Sequence, residues 1–488
     1  MRKAHVLAID QGTSATKALL MDAAGEVVSL GSAPLLQSHP GPGLVEQDAL
    51  ALLGSVRTAV ADCLAGRDPR TVAGVALSTQ RESVVMWETA TGRPVAPLVS
   101  WQDQRGLQRA AELHRAGMSE EIRCRTGLPL DPMFSALKMG ALLDEHDPSR
   151  ARSRAGQLRL GTVDAFLLHA LTGNPVTEIG NASRTQLMDI TTGDWHDELL
   201  SLFNVPRAAL SDIVNSNGPF GDLKGLDPLA DGTPVLAVLG DSHAALFAHA
   251  GWRAGVVKAT YGSGSSIMTV AGGPEPTGSV CSTIAWSTGQ PTYAYEANIR
   301  SSGRTLTWLA ELLGASVDQL VELAADPAAD TGGVTLVPAF GGLGAPWWDA
   351  TALPVLAGFD LGTKRCHVAR AALESVALQV GDVLAALPGL HHVVADGGLS
   401  RSDALMQLQA DIANVSVART RHHQLSAAGA AHLAGLALDL WTAAELERRA
   451  EEDQRVFTPI WDAPHRRTAV ARWHRHVAAA RDLGTRGK

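Results

Sequence analysis

The sequence predicts an α/β fold organised as two large domains on a duplicated plan. Three observations predict it. The chain has 488 residues, too many for one ordinary hydrophobic core. Short β-prone apolar runs alternate with longer helical stretches along its length. One local plan also occurs early in each half: VLAIDQGTSATKALLMD at 6–22 and KATYGSGSSIMTV at 258–270. Each has an apolar entry, a polar glycine-bearing turn and an apolar exit, and the pair indicates internal duplication.

Composition narrows the function classes. Apolar residues make up 45 % and charged residues 19 %, with a net charge of -9. Such a chain is globular, and its charge argues against nucleic acid or an anionic membrane as partner. Cys63, Cys124, Cys281 and Cys366 are far apart and lack CxxC spacing. They read as buried free thiols of a reducing compartment rather than zinc ligands or disulfides. The first apolar run stops at Asp10, too early for a signal peptide, and no stretch approaches a membrane span. The cytoplasm is the expected location.

In the first hairpin, Val6–Ile9 reads as a buried strand and Lys17–Met21 as its return. Backbone N–H groups at the Gly12-Thr13-Ser14 turn would form a nest for phosphate oxygens. Asp10, at the strand end, would hold a hydrated Mg²⁺ beside them. Taken alone, DQGTS reads equally as a solvated turn. Asp48 is the expected N-cap of a helix over 49–65. Strands are expected at 72–77, 84–87 and 98–101, and residues 107–175 are expected to be mostly helical.

Arg81 and Glu82 follow the strand at 72–77, where α/β proteins place ligand groups. A donor fork beside a carboxylate suits vicinal hydroxyls; as an isolated dipeptide, a surface ion pair is the better expectation. Trp101 is either a pocket wall or a core residue. Asn217, Gly218, Pro219, Gly221, Gly225, Pro228, Gly232 and Pro234 punctuate the chain before the strand 235–239, and the domain boundary is placed after 240. That strand delivers Asp241-Ser242-His243. Three consecutive residues cannot form a nested Ser-His-Asp relay, and no G-x-S-x-G elbow is present. Asp241 is therefore either a general base or a helix N-cap, evenly balanced.

The second hairpin turns at Gly262-Ser263-Gly264-Ser265. Helices are expected after Ser301-Ser302-Gly303-Arg304-Thr305, over 370–387, from near Ser402 and over 424–436, where small residues suit close packing. A strand at 393–395 runs into Asp396-Gly397-Gly398, whose backbone can approach a flat adenine ring. From about Thr442 the chain is expected to be charged and helical. P-loop, Rossmann and zinc-protease signatures are absent.

Taken in order, AIDQGTSATK, STQRES, WQDQR, GNASRT, GDSHAALF, TYGSGS, GGLGAPWWD, DGGLSRSD and AAGAAHLAG resemble the FGGY carbohydrate kinases of the actin/hexokinase superfamily, most nearly those acting on glycerol. The likeness covers nearly the whole chain. It implies two actin-like, ribonuclease H-like domains, each a mixed sheet flanked by helices, with boundaries at 1–240 and 241–488 and a cleft closing on ATP, Mg²⁺ and a polyol. By the resemblance, Thr13, Ser14, Lys17 and Ser263 meet the phosphates, and Asp10 the metal. Gly303, Thr307, Gly398 and Ser402 line the nucleotide site. Arg81, Glu82, Trp101 and Asp241 form the polyol site, with Asp241 taking the proton. Met133 and Ser242 stand where glycerol-specific members carry tyrosine and glutamine. Both changes remove polar reach and put glycerol in question in favour of a four- or five-carbon polyol or ketose. A ketose kinase of the xylulokinase type is the second reading, although such enzymes carry Met-His-Gly where this chain has Gln80-Arg81-Glu82. A non-catalytic sensor of nucleotide or sugar is the third. Members of the family often form dimers or tetramers.

Overall fold

A computed structural model describes residues 4–275, 278–325, 330–421, 424–452 and 454–486. The first sheet is built from β1 (His5–Gln11), β2 (Ala15–Met21), β3 (Val27–Pro34), β4 (Val72–Thr79) and β5 (Val235–Gly240), in the order β5-β4-β1-β2-β3. β1, β2 and β3 form an antiparallel meander, whereas β4 and β5 run parallel to β1. The second sheet contains β6 (Val256–Tyr261), β7 (Ser265–Ala271), β8 (Cys281–Ser287), β9 (Pro291–Ile299), β10 (His392–Asp396), β11 (Ser416–Thr420) and β12 (Gln454–Phe457), ordered β8-β9-β7-β6-β10-β11-β12. Its centre repeats the first sheet: β9-β7-β6 form the antiparallel meander, and β10 and β11 run parallel to β6. The duplication seen in two short hairpins thus extends to whole sheets. The fold is the two-lobed α/β architecture expected.

Both faces of each sheet are covered, so the strands are apolar without strict alternation. Leu7 and Ile9 of β1 point into a core shared with Leu52, Val56 and Val60 of α1 (Ala49–Cys63). Asp48 caps α1 by accepting from the N–H groups of Leu50 and Ala51, as its residue type predicts. Val6 and Ala8 point the other way.

The helix Ser135–His146 (α2) belongs to a subdomain that follows β4 and has its own core around Leu142, Leu160 and Phe203. After β5 comes α3 (Asp241–Ala248). In the second half α4 (Gly303–Leu312), α5 (Arg365–Ala386), α6 (Asp403–Ala413) and α7 (Leu425–Ala437) follow. Val376, Val380 and Val383 of α5 face Ala259, Tyr261 and Ile267 of the second sheet.

The small-residue helix α7 crosses to the first sheet. Ala427, Ala430, Ala431 and Ala434 share a core with Val6, Ala8, Ala76 and Leu239. A Cβ on Gly429 would lie 1.8 Å from the carbonyl oxygen of Ala244 on α3. Only glycine permits that approach, so the second half of the chain braces the helix that begins at Asp241.

Cys63 and Cys281 are buried free thiols as expected, but Cys124 is exposed and Cys366 only half-buried, because both sit on helices that turn a polar face outward. Several boundaries also differ from the sequence expectations. The strand expected at 98–101 stops at Val99, leaving Trp101 in a turn. Asp241 is itself the first residue of α3, with Gly240 as the N-cap, so the N-cap alternative for Asp241 does not hold. The run 107–175 is interrupted by a strand at Leu158–Gly161, and β12 interrupts the helical C-terminal region. In both cases tertiary pairing with a neighbouring strand overrides weak local propensity. No helix among the described residues is long and apolar enough to cross a membrane.

Candidate active site

The two hairpins make equivalent turns. Gly12, Thr13 and Ser14 link β1 to β2, closed by the Gly12 N–H donating to the Ala15 carbonyl at 3.1 Å. Gly262, Ser263 and Gly264 link β6 to β7, closed by the Gly262 N–H to the Gly264 carbonyl at 2.9 Å. Ser14 and Ser263 are exposed at the tips.

What surrounds each turn differs. The first stands next to carboxylates. Asp10 lies opposite Lys17 on β2 and Ser78 on β4, and accepts from the Ser78 hydroxyl at 2.9 Å. β5 ends one strand further along, and Asp241 leaves its tip. Burial, and then the nearby charge of Asp241, push the Asp10 carboxyl up to about 6, against the pull of Ser78 and Lys17. Two like charges held this close disfavour ionisation of both. Among the described residues no cluster of three or more His, Cys, Asp or Glu side chains could hold a metal.

The second turn is fastened to a helix start. The carbonyl of Ser263 accepts from Ser302 and Arg304 N–H at 3.0 and 3.1 Å, and that of Gly262 from Gly303 at 3.0 Å. A Cβ on Gly303 would meet the Gly262 oxygen at 2.8 Å, so glycine lets α4 begin against the hairpin. Thr307 is exposed one turn along α4. Gly397, at a φ of +91°, abuts Tyr261, while Gly398 beside it faces open space. Ser402 is the N-cap of α6, its hydroxyl accepting from the Leu405 N–H.

Between the hairpins lies a buried ion network that residue-by-residue reading missed. Arg81 is 6 % exposed. Its Nη1 and Nη2 donate to the two oxygens of Glu296 on β9, both at 2.7 Å. Its Nε donates to Asp241 Oδ1 at 3.2 Å, and Nη1 also reaches His243 Nε2 at 3.2 Å. Arg184 Nη1 lies 3.1 Å from Glu296, and Arg184 Nε donates to Glu82 Oε1 at 2.7 Å. Burial alone would raise the Glu296 carboxyl, but Arg184 and Arg81 together hold it far below the usual range. Burial, then Arg81, keep His243 neutral. Its Nε2 therefore accepts from Arg81 and its Nδ1 carries the proton.

The surface-pair alternative for Arg81-Glu82 is thereby overturned, because both side chains are buried and each pairs with a distant residue. The hydroxyl-reading alternative is also altered: most of Arg81's fork is spent on Glu296. Glu82 itself has a φ of +60°, a strained conformation for a non-glycine residue. The Ser135 hydroxyl, donating to its carbonyl at 3.0 Å, helps hold it.

Trp101 is tied to the first hairpin, its Nε1 donating to Thr13 Oγ1 at 3.1 Å. That excludes a purely core role. Asp241 is the first residue of α3, and its Oδ1 accepts from the Ser242 N–H at 2.6 Å. Met133 packs with Leu128, Phe134 and Cys281. Its loop is clamped by Lys138, whose ammonium donates to the carbonyls of Pro132, Met133 and Phe134; burial lowers that ammonium to about 7.

Residues 5–248 match the N-terminal domain of the FGGY family of carbohydrate kinases, and residues 257–438 match its C-terminal domain. The chain belongs to the FGGY family of carbohydrate kinases. As an FGGY kinase it is a phosphotransferase with an alcohol group as acceptor. It is 39 % identical over 492 residues to a glycerol kinase of Aromatoleum aromaticum, covering 98 % of this chain and 99 % of that one. It is 40 % identical over 491 residues to an apulose kinase of Pectobacterium atrosepticum, covering 98 % of each. Its fold superposes on the crystal structure of Plasmodium falciparum glycerol kinase with ADP at a TM-score of 0.91, with 26 % identity and 98 % of both chains covered.

In this FGGY kinase, sequence reasoning quoted the motifs holding Arg184 and His243 but gave those residues no role. Glu296 had no motif. The available signal was its register: Thr292, Ala294, Glu296 and Asn298 alternate with Tyr293, Tyr295, Ala297 and Ile299 on β9, so the polar face had to meet either solvent or another lobe.

Proposed function

We propose that this kinase transfers the γ-phosphoryl group of ATP to a primary hydroxyl of glycerol or a related small polyol or ketose. Asp241 is the base that takes the hydroxyl proton, Thr13, Ser14, Lys17 and Ser263 meet the phosphates, and Gly303, Thr307, Gly398 and Ser402 flank the nucleotide. Arg81, Glu82, Trp101, Met133 and Ser242 surround the acceptor. The observation that carries this reading is the meeting of Asp10, near the end of β1, with Asp241, which leaves the tip of β5 on the far side of β4, beside the first glycine turn. A hydrated Mg²⁺ fits that pair, because this ion takes one or two carboxylates plus water and phosphate rather than an all-protein cage. When bound it neutralises charge on the phosphate oxygens. Arg81, donating to Asp241 Oδ1, keeps the base aimed. Phosphoryl transfer relies on such positioning more than on covalent chemistry.

The glycerol and apulose kinases are similar to this chain to nearly the same degree, and Met133 and Ser242 favour an acceptor other than glycerol. A coupled assay of ADP release with glycerol, tetritols, D-xylulose and branched keto-pentoses tests the reading. Turnover of a polyol supports the first alternative and turnover of a ketose the second. Failure with every acceptor would leave a nucleotide- or sugar-binding sensor.

A further inference from the structure

Arg81 has five N–H donors. Asp241, His243 and both oxygens of Glu296 engage four of them. The fork that would have read a vicinal diol is therefore occupied, and the opposite wall of the cleft offers a replacement. On β9, Asn298 shares the face of Glu296, two residues away. Ala297 and Ile299 point instead into the second core. Across the strands Asn298 lies beside Ser266, and Ser266 beside Thr260.

Asn298 Nδ2 donates to Glu296 Oε1 at 3.2 Å. That oxygen is held ionised and only accepts, which fixes the amide's orientation. The amide oxygen and the second N–H remain, and no other hydrogen bond to this amide is present among the described residues. Asn298 is only half-buried. One donor and one acceptor on a planar group complement a hydroxyketone or a vicinal diol.

We infer that Asn298 is a specificity-determining residue that engages the far hydroxyl or carbonyl of an acceptor longer than three carbons, of the keto-pentose class, while Asp241 faces the hydroxyl to be phosphorylated. The inference rests on the phosphotransfer reading above. Asp241 and Asn298 are linked through Arg81 and Glu296 by hydrogen bonds of 3.2, 2.7 and 3.2 Å, which places both on one network. Met133 and Ser242 leave the first lobe short of polar groups, and Asn298 supplies them from the second.

The test measures kcat/KM by ADP release for glycerol, L-erythrulose, D-xylulose and a branched keto-pentose, using the full chain and its Asn298→Ala and Asn298→Ser variants. The expected result is a keto-pentose preferred over glycerol. In Asn298→Ala the ratio of the two specificity constants should fall about tenfold, through KM, with a partial return in Asn298→Ser. ADP affinity, read by calorimetry, should stay within about threefold, which separates lost recognition from lost folding. A preference for glycerol with an unchanged ratio in Asn298→Ala overturns the assignment. Equal losses with every acceptor also overturn it. No ADP release from the unaltered chain with any acceptor overturns both the assignment and the phosphotransfer reading beneath it.

Discussion

The two hairpins share a backbone and differ in their company. Gln11 to Ala15 and Tyr261 to Ser265 span the same turn between antiparallel strands in equivalent sheets. Around the first stand Asp10, Lys17, Ser78 and, from β5, Asp241. Around the second, the corresponding place on β6 holds Thr260, and the turn is bonded to the start of α4. A duplicated scaffold thus keeps the same glycine turn in both copies and places the pair Asp10 and Asp241 beside only the first. In the proposed function the first lobe supplies proton transfer and cation binding, and the second holds the nucleotide. Their junction is Glu296, which reaches across to Arg81 and Arg184.

The largest effect expected from breaking this asymmetry is chemical. Asp241→Ala should lower kcat by about 10²–10⁴, with ADP affinity nearly unchanged, measured by coupled assay and calorimetry. Comparable losses of both would mean that the lobes do not divide the work in this way. Next comes the junction. Glu296→Gln leaves two buried guanidinium groups without their shared carboxylate, and removing one partner of a buried pair costs about 3–5 kcal/mol. Denaturant unfolding should register that loss; a change below about 1 kcal/mol would mean that the network is not a structural joint. Smallest is the second turn. In Gly303→Ala the new Cβ would press on the Gly262 oxygen, 2.8 Å away, and ADP affinity should weaken about tenfold while kcat at saturating ATP holds. A reduced kcat with unaltered affinity would assign the second hairpin to chemistry instead.

Much of this was legible in the sequence, for reasons particular residues make plain. Both hairpins announced themselves because glycine and small polar residues interrupt apolar runs. Asp48 and Ser402 marked helix starts, where side-chain oxygens satisfy free N–H groups. The crowding of Gly429 against Ala244 was foreshadowed by a run of small residues, although not its partner. What escaped were long-range events. The pairing of Glu296 with Arg81 spans 215 residues of chain, and no local pattern encodes it. The same holds for His243, whose proton position follows from what Arg81 offers it. β12 and the strand at Leu158–Gly161 were missed because strand propensity depends on the neighbour that pairs with them.

The most direct test of the central claim, that Asp10 and Asp241 face each other at the end of the first sheet, is a carboxyl-carbon NMR titration of Asp10. Its folded value of about 6 lies above the unfolded 3.8. Protonation of Asp10 therefore favours the folded state, and its contribution to stability is full below 3.8 and lost as pH rises through about 6. The account predicts a midpoint near 6 in the unaltered chain. In Asp241→Asn, or with Mg²⁺ and ADP bound, it should move towards the ordinary carboxylate range. A midpoint already in that range, or one that ignores the loss of Asp241, would contradict it.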